Sequence, residues 1–98
     1  MEKIPSFCYV IRSKIQPSKS ETYLFPKESI RVDIFNGETD IEINIVFADG
    51  QKSSPIQITS NGFYSFDVIA KGLIISNLNT TITNNIQIIS WINSEGGK

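Results

Sequence analysis

Along much of this chain apolar and polar positions alternate with a period of two. From Ile30 to Phe35, Ile30, Val32 and Ile34 point one way, and Arg31, Asp33 and Phe35 the other. Ile41, Ile43, Ile45 and Phe47 repeat the pattern against Glu42 and Asn44. Successive side chains of a strand point to opposite faces, so each run predicts a strand with one dry face and one wet face. Shorter runs of the same kind lie at Phe7–Arg12, Thr22–Phe25, Pro55–Thr59 and Leu73–Ile75. In Ile86–Ile92, Ile86, Ile88 and Ile92 share a face with Ser90, opposite Gln87, Ile89 and Trp91. The stretch Phe63–Ile69 is apolar on both sides, with Tyr64, Phe66 and Val68 on one and Phe63 and Ile69 on the other. That predicts a strand that is either central or covered on its second face. No window repeats apolar residues at helical spacing for three turns, so essentially no helix is expected.

Asn36-Gly37, Asp49-Gly50 and Asn61-Gly62 separate these runs. Such dipeptides tolerate the positive φ of tight turns, and they predict successive β-hairpins. Pro26 cannot donate to a central ladder and marks an edge or a strand end. Seven or eight short strands at this spacing predict an all-β fold: a single antiparallel two-sheet sandwich, jelly-roll or immunoglobulin-like. A flat single sheet would leave half of the isoleucines in water at roughly 25 cal/mol per Å², more than a domain's stability allows. One domain spanning 1–98 is expected, with a frayed tail at 94–98, since a chain of 98 residues supports one core and not two.

Composition sharpens this reading. The apolar residues are mostly isoleucine, which is β-branched and suits a pleated surface. The net charge is −1, and the basic residues are scattered without a stripe. This sets aside nucleic acid, which is bound by neutralising phosphates. Apolar runs of about five residues fall far short of the roughly twenty that span a bilayer as a helix, so no membrane partner is expected. The opening residues lack a signal-peptide core, and Cys8 is the only cysteine, which fits a cytoplasmic setting.

The chemistry is sparse. There is no histidine, which removes the commonest general base and metal ligand and all Ser-His and Cys-His nucleophiles. No catalytic residue, cofactor or metal ligand is assigned, and the chain is expected not to be an enzyme. Cys8 reads as structural. Glu38, Asp40 and Glu42 match no calcium-loop spacing and read as a solvated hairpin tip. Arg31 and Asp33 share a face and are expected to pair with neighbours across the sheet. Asn79-Thr80-Thr81 meets the glycosylation sequon by chance composition. Trp91 either plugs the end of the sandwich or joins Phe35 and Ile89 in an apolar outer patch, with Phe63 and Ile69 as support on the second face.

The segments Ile58–Phe66, Gly72–Asn77 and Ile86–Trp91 carry a resemblance. A strand ending in Ile-Ser-Asn, a Thr/Asn-rich loop and a last strand ending in tryptophan resemble small β-sandwich accessory proteins of tailed-phage virions. The resemblance implies a structural virion or assembly protein: a homo-oligomer that decorates or stabilises a capsid or fibre, partnered by itself and a larger shell, and located in the virion. Phe35, Phe63, Ile69, Ile89 and Trp91 would then be interface residues. The alternative is a non-catalytic ligand-binding module, for carbohydrate, with Trp91 or a tyrosine as stacking platform.

Overall fold

The computed structural model describes residues 7–92; the expected tail at 94–98 lies outside them. Eight strands form: β1 Phe7–Ile15, β2 Ser20–Ser29, β3 Arg31–Phe35, β4 Ile41–Phe47, β5 Ile56–Ile58, β6 Phe63–Phe66, β7 Ala70–Asn77 and β8 Asn84–Ile92. They make two four-stranded sheets, ordered β1-β8-β3-β6 and β2-β7-β4-β5. All pairings are antiparallel, and the described residues contain no helix.

The pairings β1–β8, β2–β7, β3–β6 and β4–β5 are nested. The chain is therefore one long hairpin whose tip is the β4–β5 loop, rolled so that β8 also meets β3 and β7 meets β4. This is a jelly roll and not an immunoglobulin-like sandwich. The topology corrects the hairpin expectation. Only Asp49-Gly50 reverses the chain within one sheet, with Gly50 at φ 92° and its N–H donating to the Phe47 carbonyl at 2.9 Å. The other two dipeptides are corners where the rolled hairpin passes from sheet to sheet. They pair with each other: Asn36 N–H donates to the Gly62 carbonyl at 2.9 Å and Asn61 N–H to the Gly37 carbonyl at 2.6 Å. Gly37 is required by contact and not by φ, because a Cβ there would collide with the Asn85 carbonyl.

Several strands run longer than the alternation indicates. Lys71-Gly72, which precedes the predicted run Leu73–Ile75, lies inside β7, and Pro26 sits within β2. β2 is an edge strand whose register slips between Leu24 and Ser29, so the missing N–H of Pro26 costs no central ladder bond. Conversely, β6 stops at Phe66, and residues 67–69 carry the chain to the other sheet.

The core lies between the inward faces. Val32, Ile34 and Ile88 from one sheet and Ile41, Ile43, Leu73 and Ile75 from the other are fully buried. Each such side chain contributes on the order of 1.5–3 kcal/mol. Tyr23 closes one open side by donating to the Ser13 Oγ at 2.9 Å, and burial raises its phenol pKa.

One end of the sandwich is closed by polar side chains. Asn84 is fully buried and donates through Nδ2 to Asn36 Oδ1 at 2.7 Å. Its Oδ1 accepts the Thr39 N–H at 3.0 Å. Asn36 Nδ2 is shared among the carbonyls of Thr39, Ile58 and Thr59. Asn77 Oδ1 accepts the Thr39 hydroxyl at 2.9 Å, and its Nδ2 reaches the carbonyls of Ile15 and Ile82. These three asparagines occupy buried sites and saturate backbone groups of four connections.

Asn84→Ala is expected to lower the urea-unfolding free energy by about 2–3 kcal/mol, because it leaves the Thr39 N–H buried and unpaired. Ser90 supplies the opposite test. It is fully buried, and its hydroxyl has no partner among the described residues, so Ser90→Ala is expected to raise the same free energy by up to about 1 kcal/mol. A loss on Ser90→Ala would show that the hydroxyl is satisfied in solution.

Candidate functional site

The two outer faces of the sandwich differ. On the β2-β7-β4-β5 sheet, aligned rows read Ser20–Ser76–Glu42–Gln57 and Thr22–Ile74–Asn44. Those two rows are mostly polar, as expected beside water, and the third, Leu24–Gly72–Val46, is apolar with Leu24 exposed at the edge. On the β1-β8-β3-β6 sheet the rows read Arg12–Gln87–Phe35–Phe63, then Val10–Ile89–Asp33–Ser65, then Cys8–Trp91–Arg31. Apolar side chains therefore occupy positions in each of these three rows of an outward face, and the fourth row, Lys14–Asn85, is polar.

Four of the five residues singled out from sequence meet there. Phe35 and Phe63 are directly opposite on β3 and β6, with ring centroids 4.8 Å apart, and remain 41% and 55% exposed. Ile89 and Trp91 are half-buried on the same face. Ile69 is exposed too, but it lies in the connection after β6 and does not belong to this ladder. Val10, not singled out, joins the face on β1 beside Ile89 and is exposed. Its alternation with Cys8 and Arg12 was the available signal. Cys8 is half-buried beside Trp91 on this face and not in the core.

Trp91 does not plug the sandwich end. Its indole N–H donates to Asp33 Oδ2 at 3.0 Å. Asp33 Oδ1 accepts the Ser65 hydroxyl at 2.6 Å and Arg31 Nε at 3.2 Å. An outward-pointing carboxylate is thus only 7% exposed, held under the indole and saturated from three sides. Burial pushes its pKa up, but the hydrogen bonds from Ser65, Trp91 and Arg31 and the Arg31 charge outweigh that, and the net shift is downward. The expectation that Arg31 and Asp33 pair across the sheet holds for Asp33, while Arg31 pairs along its own strand.

Beside Phe35 the face dips into a trough of about 470 Å³. Its floor is β8 at Asn85–Gln87, and its walls are Phe35 on one side and Arg12 and Lys14 on the other. Gln87 Oε1 accepts Arg12 Nε at 2.9 Å. Asn85 gives its N–H and its Nδ2 to the two oxygens of Glu38, at 3.0 and 2.8 Å. These donors hold the Glu38 carboxyl below its usual pKa.

Of the three acidic residues expected on a hairpin tip, Glu38 and Asp40 are exposed corner braces. Glu38 ties to β8, Asp40 Oδ1 accepts the Ser60 N–H at 2.9 Å, and Glu42 lies on β4. Asp40 and Glu38 line a second, polar hollow with Asn79. The Asn79 side chain is itself engaged, its Oδ1 accepting from Thr81 and Ile82. Among the described residues no three His, Cys, Asp or Glu side chains are grouped so as to hold a metal ion. No helix there is long and apolar enough to cross a membrane.

No protein-family model matches the chain, and no curated protein sequence does either. Solved structures do. An oxalate oxidase superposes with a TM-score of 0.60 at 8% identity, over 88% of this chain and 42% of that one. The chain thus spans less than half the length of that oxidase. The SPBc2 prophage-derived protein YomS superposes with a TM-score of 0.59 at 11% identity, over 92% of this chain and 99% of that one. The cupin domain of Drosophila melanogaster CENP-C gives a TM-score of 0.57 at 6% identity, over 84% and 59%. At these identities the likeness is one of fold: a jelly roll of cupin type. It also corrects one expectation. The chain was expected not to be an enzyme, yet a protein with this fold is an oxidase, so the architecture does not exclude catalysis.

Asp33 generates a pH test. Its folded pKa lies below the unfolded value of about 3.9, so its stabilising contribution is complete above that pH and is lost as pH falls through the folded pKa. Asp33→Asn is expected to cost about 1.5–3 kcal/mol at pH 7. It should also flatten the acid limb of stability below pH ~4. Urea midpoints measured from neutral pH down to the acid limb check this; an unchanged acid limb in the variant would remove Asp33 as its source.

Proposed function

We propose that this protein is a structural component of a phage virion, a homo-oligomeric jelly roll that decorates or stabilises a capsid or fibre. The observation that carries the reading is the apolar outward face of the β1-β8-β3-β6 sheet. A two-layer sandwich already has its core, so aromatic and β-branched residues on an outer face add nothing to that core and keep the hydration cost of the surface they leave exposed until something covers them. Phe35 and Phe63 stand far enough out to anchor such a contact, while Ile89 and Trp91 supply its flat centre. The end-to-end likeness in fold to a prophage-derived protein supports a phage setting.

A second reading, a carbohydrate-binding module, is favoured by the trough beside Phe35. Trp91 is a weaker platform than its residue type suggests, since its N–H is committed to Asp33.

Light scattering coupled to size exclusion is expected to give a discrete multiple of 11.0 kDa that persists on dilution. Phe63→Lys is expected to yield monomer with wild-type unfolding behaviour, because the ring is exposed at an edge strand. Trp91→Ala is less diagnostic, since it also strips a donor from a buried carboxylate. A wild-type monomer at all concentrations would overturn self-assembly.

A further inference from the structure

The trough across β8 combines features that the assembly reading does not use. Arg12 spends Nε on Gln87, and its two terminal nitrogens form no hydrogen bond among the described residues. Lys14, two residues on from Arg12 along the same face of β1, forms no ion pair or hydrogen bond there either. Two cations without acidic partners therefore line one wall of a hollow of about 470 Å³. That volume falls within the roughly 300–1,000 Å³ typical of small-molecule sites. The opposite wall is the exposed Phe35 ring, and the floor presents both senses of hydrogen bond. Gln87 keeps its amide N–H groups as donors, because its Oε1 faces Arg12. Asn85 keeps Oδ1 as an acceptor, because its N–H and Nδ2 face Glu38.

We infer that the trough binds a carboxylate-bearing saccharide. This rests on the second, ligand-binding reading and gives that reading a site and a chemical class. An apolar ring surface fits the sugar's C–H face, and adjacent donors and an acceptor fit hydroxyls, which both give and accept hydrogen bonds. Arg12 and Lys14 fit the carboxylate, with the guanidinium able to bind it through paired N–H groups. Two cations are too few to track a phosphate backbone, which excludes a nucleic-acid strand as the occupant. Glu38 is bound to Asn85 and repels a second carboxylate, so the carboxylate end of the ligand points toward β1 and away from it. The side chains that build the site are held by hydrogen bonds to their neighbours: Gln87 by Arg12 and Asn85 by Glu38.

The test is an amide NMR titration of the whole chain with three probes: trigalacturonate, an uncharged galacto-trisaccharide, and a triglutamate peptide. Trigalacturonate is expected to shift residues 12–14, 35 and 85–87 and to bind at least about tenfold more tightly than either other probe. The double variant Arg12→Gln, Lys14→Gln is expected to lose roughly tenfold in affinity, about 1.4 kcal/mol, while Lys27→Gln on β2 changes nothing. Equal binding of the uncharged sugar would keep the carbohydrate reading and overturn the charge assignment. Equal binding of triglutamate would reduce the site to a charge patch and overturn the saccharide. No shift with any probe at millimolar concentration would overturn both the inference and the reading it rests on.

Discussion

The contact on which the architecture turns is the hydrogen bond between two buried amides, Asn84 Nδ2 and Asn36 Oδ1. A nested hairpin rolled into two sheets must bend wherever it leaves one sheet for the other, and at each bend the backbone forfeits its ladder partners. Buried peptide groups left unpaired cost on the order of 1–3 kcal/mol each. Primary amides solve the problem because each carries two donors and an acceptor with two lone pairs. Asn36, Asn77 and Asn84 stand in for missing strands and hold the β1–β2, β3–β4, β5–β6 and β7–β8 connections at one end. The Asn36-Gly37 and Asn61-Gly62 steps then face each other as matched corners. The position of Phe35 follows directly, since it is the last residue of β3 before that corner.

The same rolling decides what each sheet shows to solvent. β8 lies in the interior of its sheet, between β1 and β3, and its outward residues are flanked on both sides. Ile89 and Trp91 are therefore half-buried by their own sheet, without a second layer above them. Asp33 is the counterpart. A carboxylate in the middle of such a face would ordinarily be hydrated, yet the indole of Trp91 covers it and three donors hold it ionised. A neutral residue there would make the face more apolar; an unpaired charge would make it costly to cover. The hydrogen-bonded acid does neither, and it fixes the tryptophan ring in place.

Much of this was legible from residue order, for identifiable reasons. Period-two alternation located β3, β4 and β8 and their inward faces, because only side-chain direction is being read. Four of the five outer-face candidates follow from the same parity. The errors arise where long-range pairing overrides local preference. Asn-Gly favours a tight turn in isolation, but whether the flanking strands then pair with each other depends on partners far away in sequence. Asn77 and Asn84 fall outside the alternating runs Leu73–Ile75 and Ile86–Ile92, and nothing local reveals that their amides are buried. Ile69 has the parity of Phe63, but parity carries meaning only while the strand continues, and β6 ends three residues earlier. The prohibition on catalysis came from residue types missing from the chain; architecture places no such limit.

The charges on the outer face constrain how copies can meet on it. Arg12 and Lys14 lie at one margin, on β1, and the acid nearest the centre is already consumed by Arg31, Ser65 and Trp91. Stacking two such faces with β1 over β1, by a two-fold axis that crosses the strands at Arg12, would set cations against cations, which is costly once water is excluded. A two-fold axis running along the strands between β8 and β3 avoids this. It places β1 of one copy over β6 of the other and β8 over β3, so that Arg12 meets the Phe63 ring and Ile89 meets the covered Asp33. A guanidinium over an aromatic face is attractive, by about 0.5–2 kcal/mol according to how far it is desolvated. Covering Arg12 in this way also closes the trough, so assembly through the whole face and occupancy of the trough compete for the same arginine and the same phenylalanine.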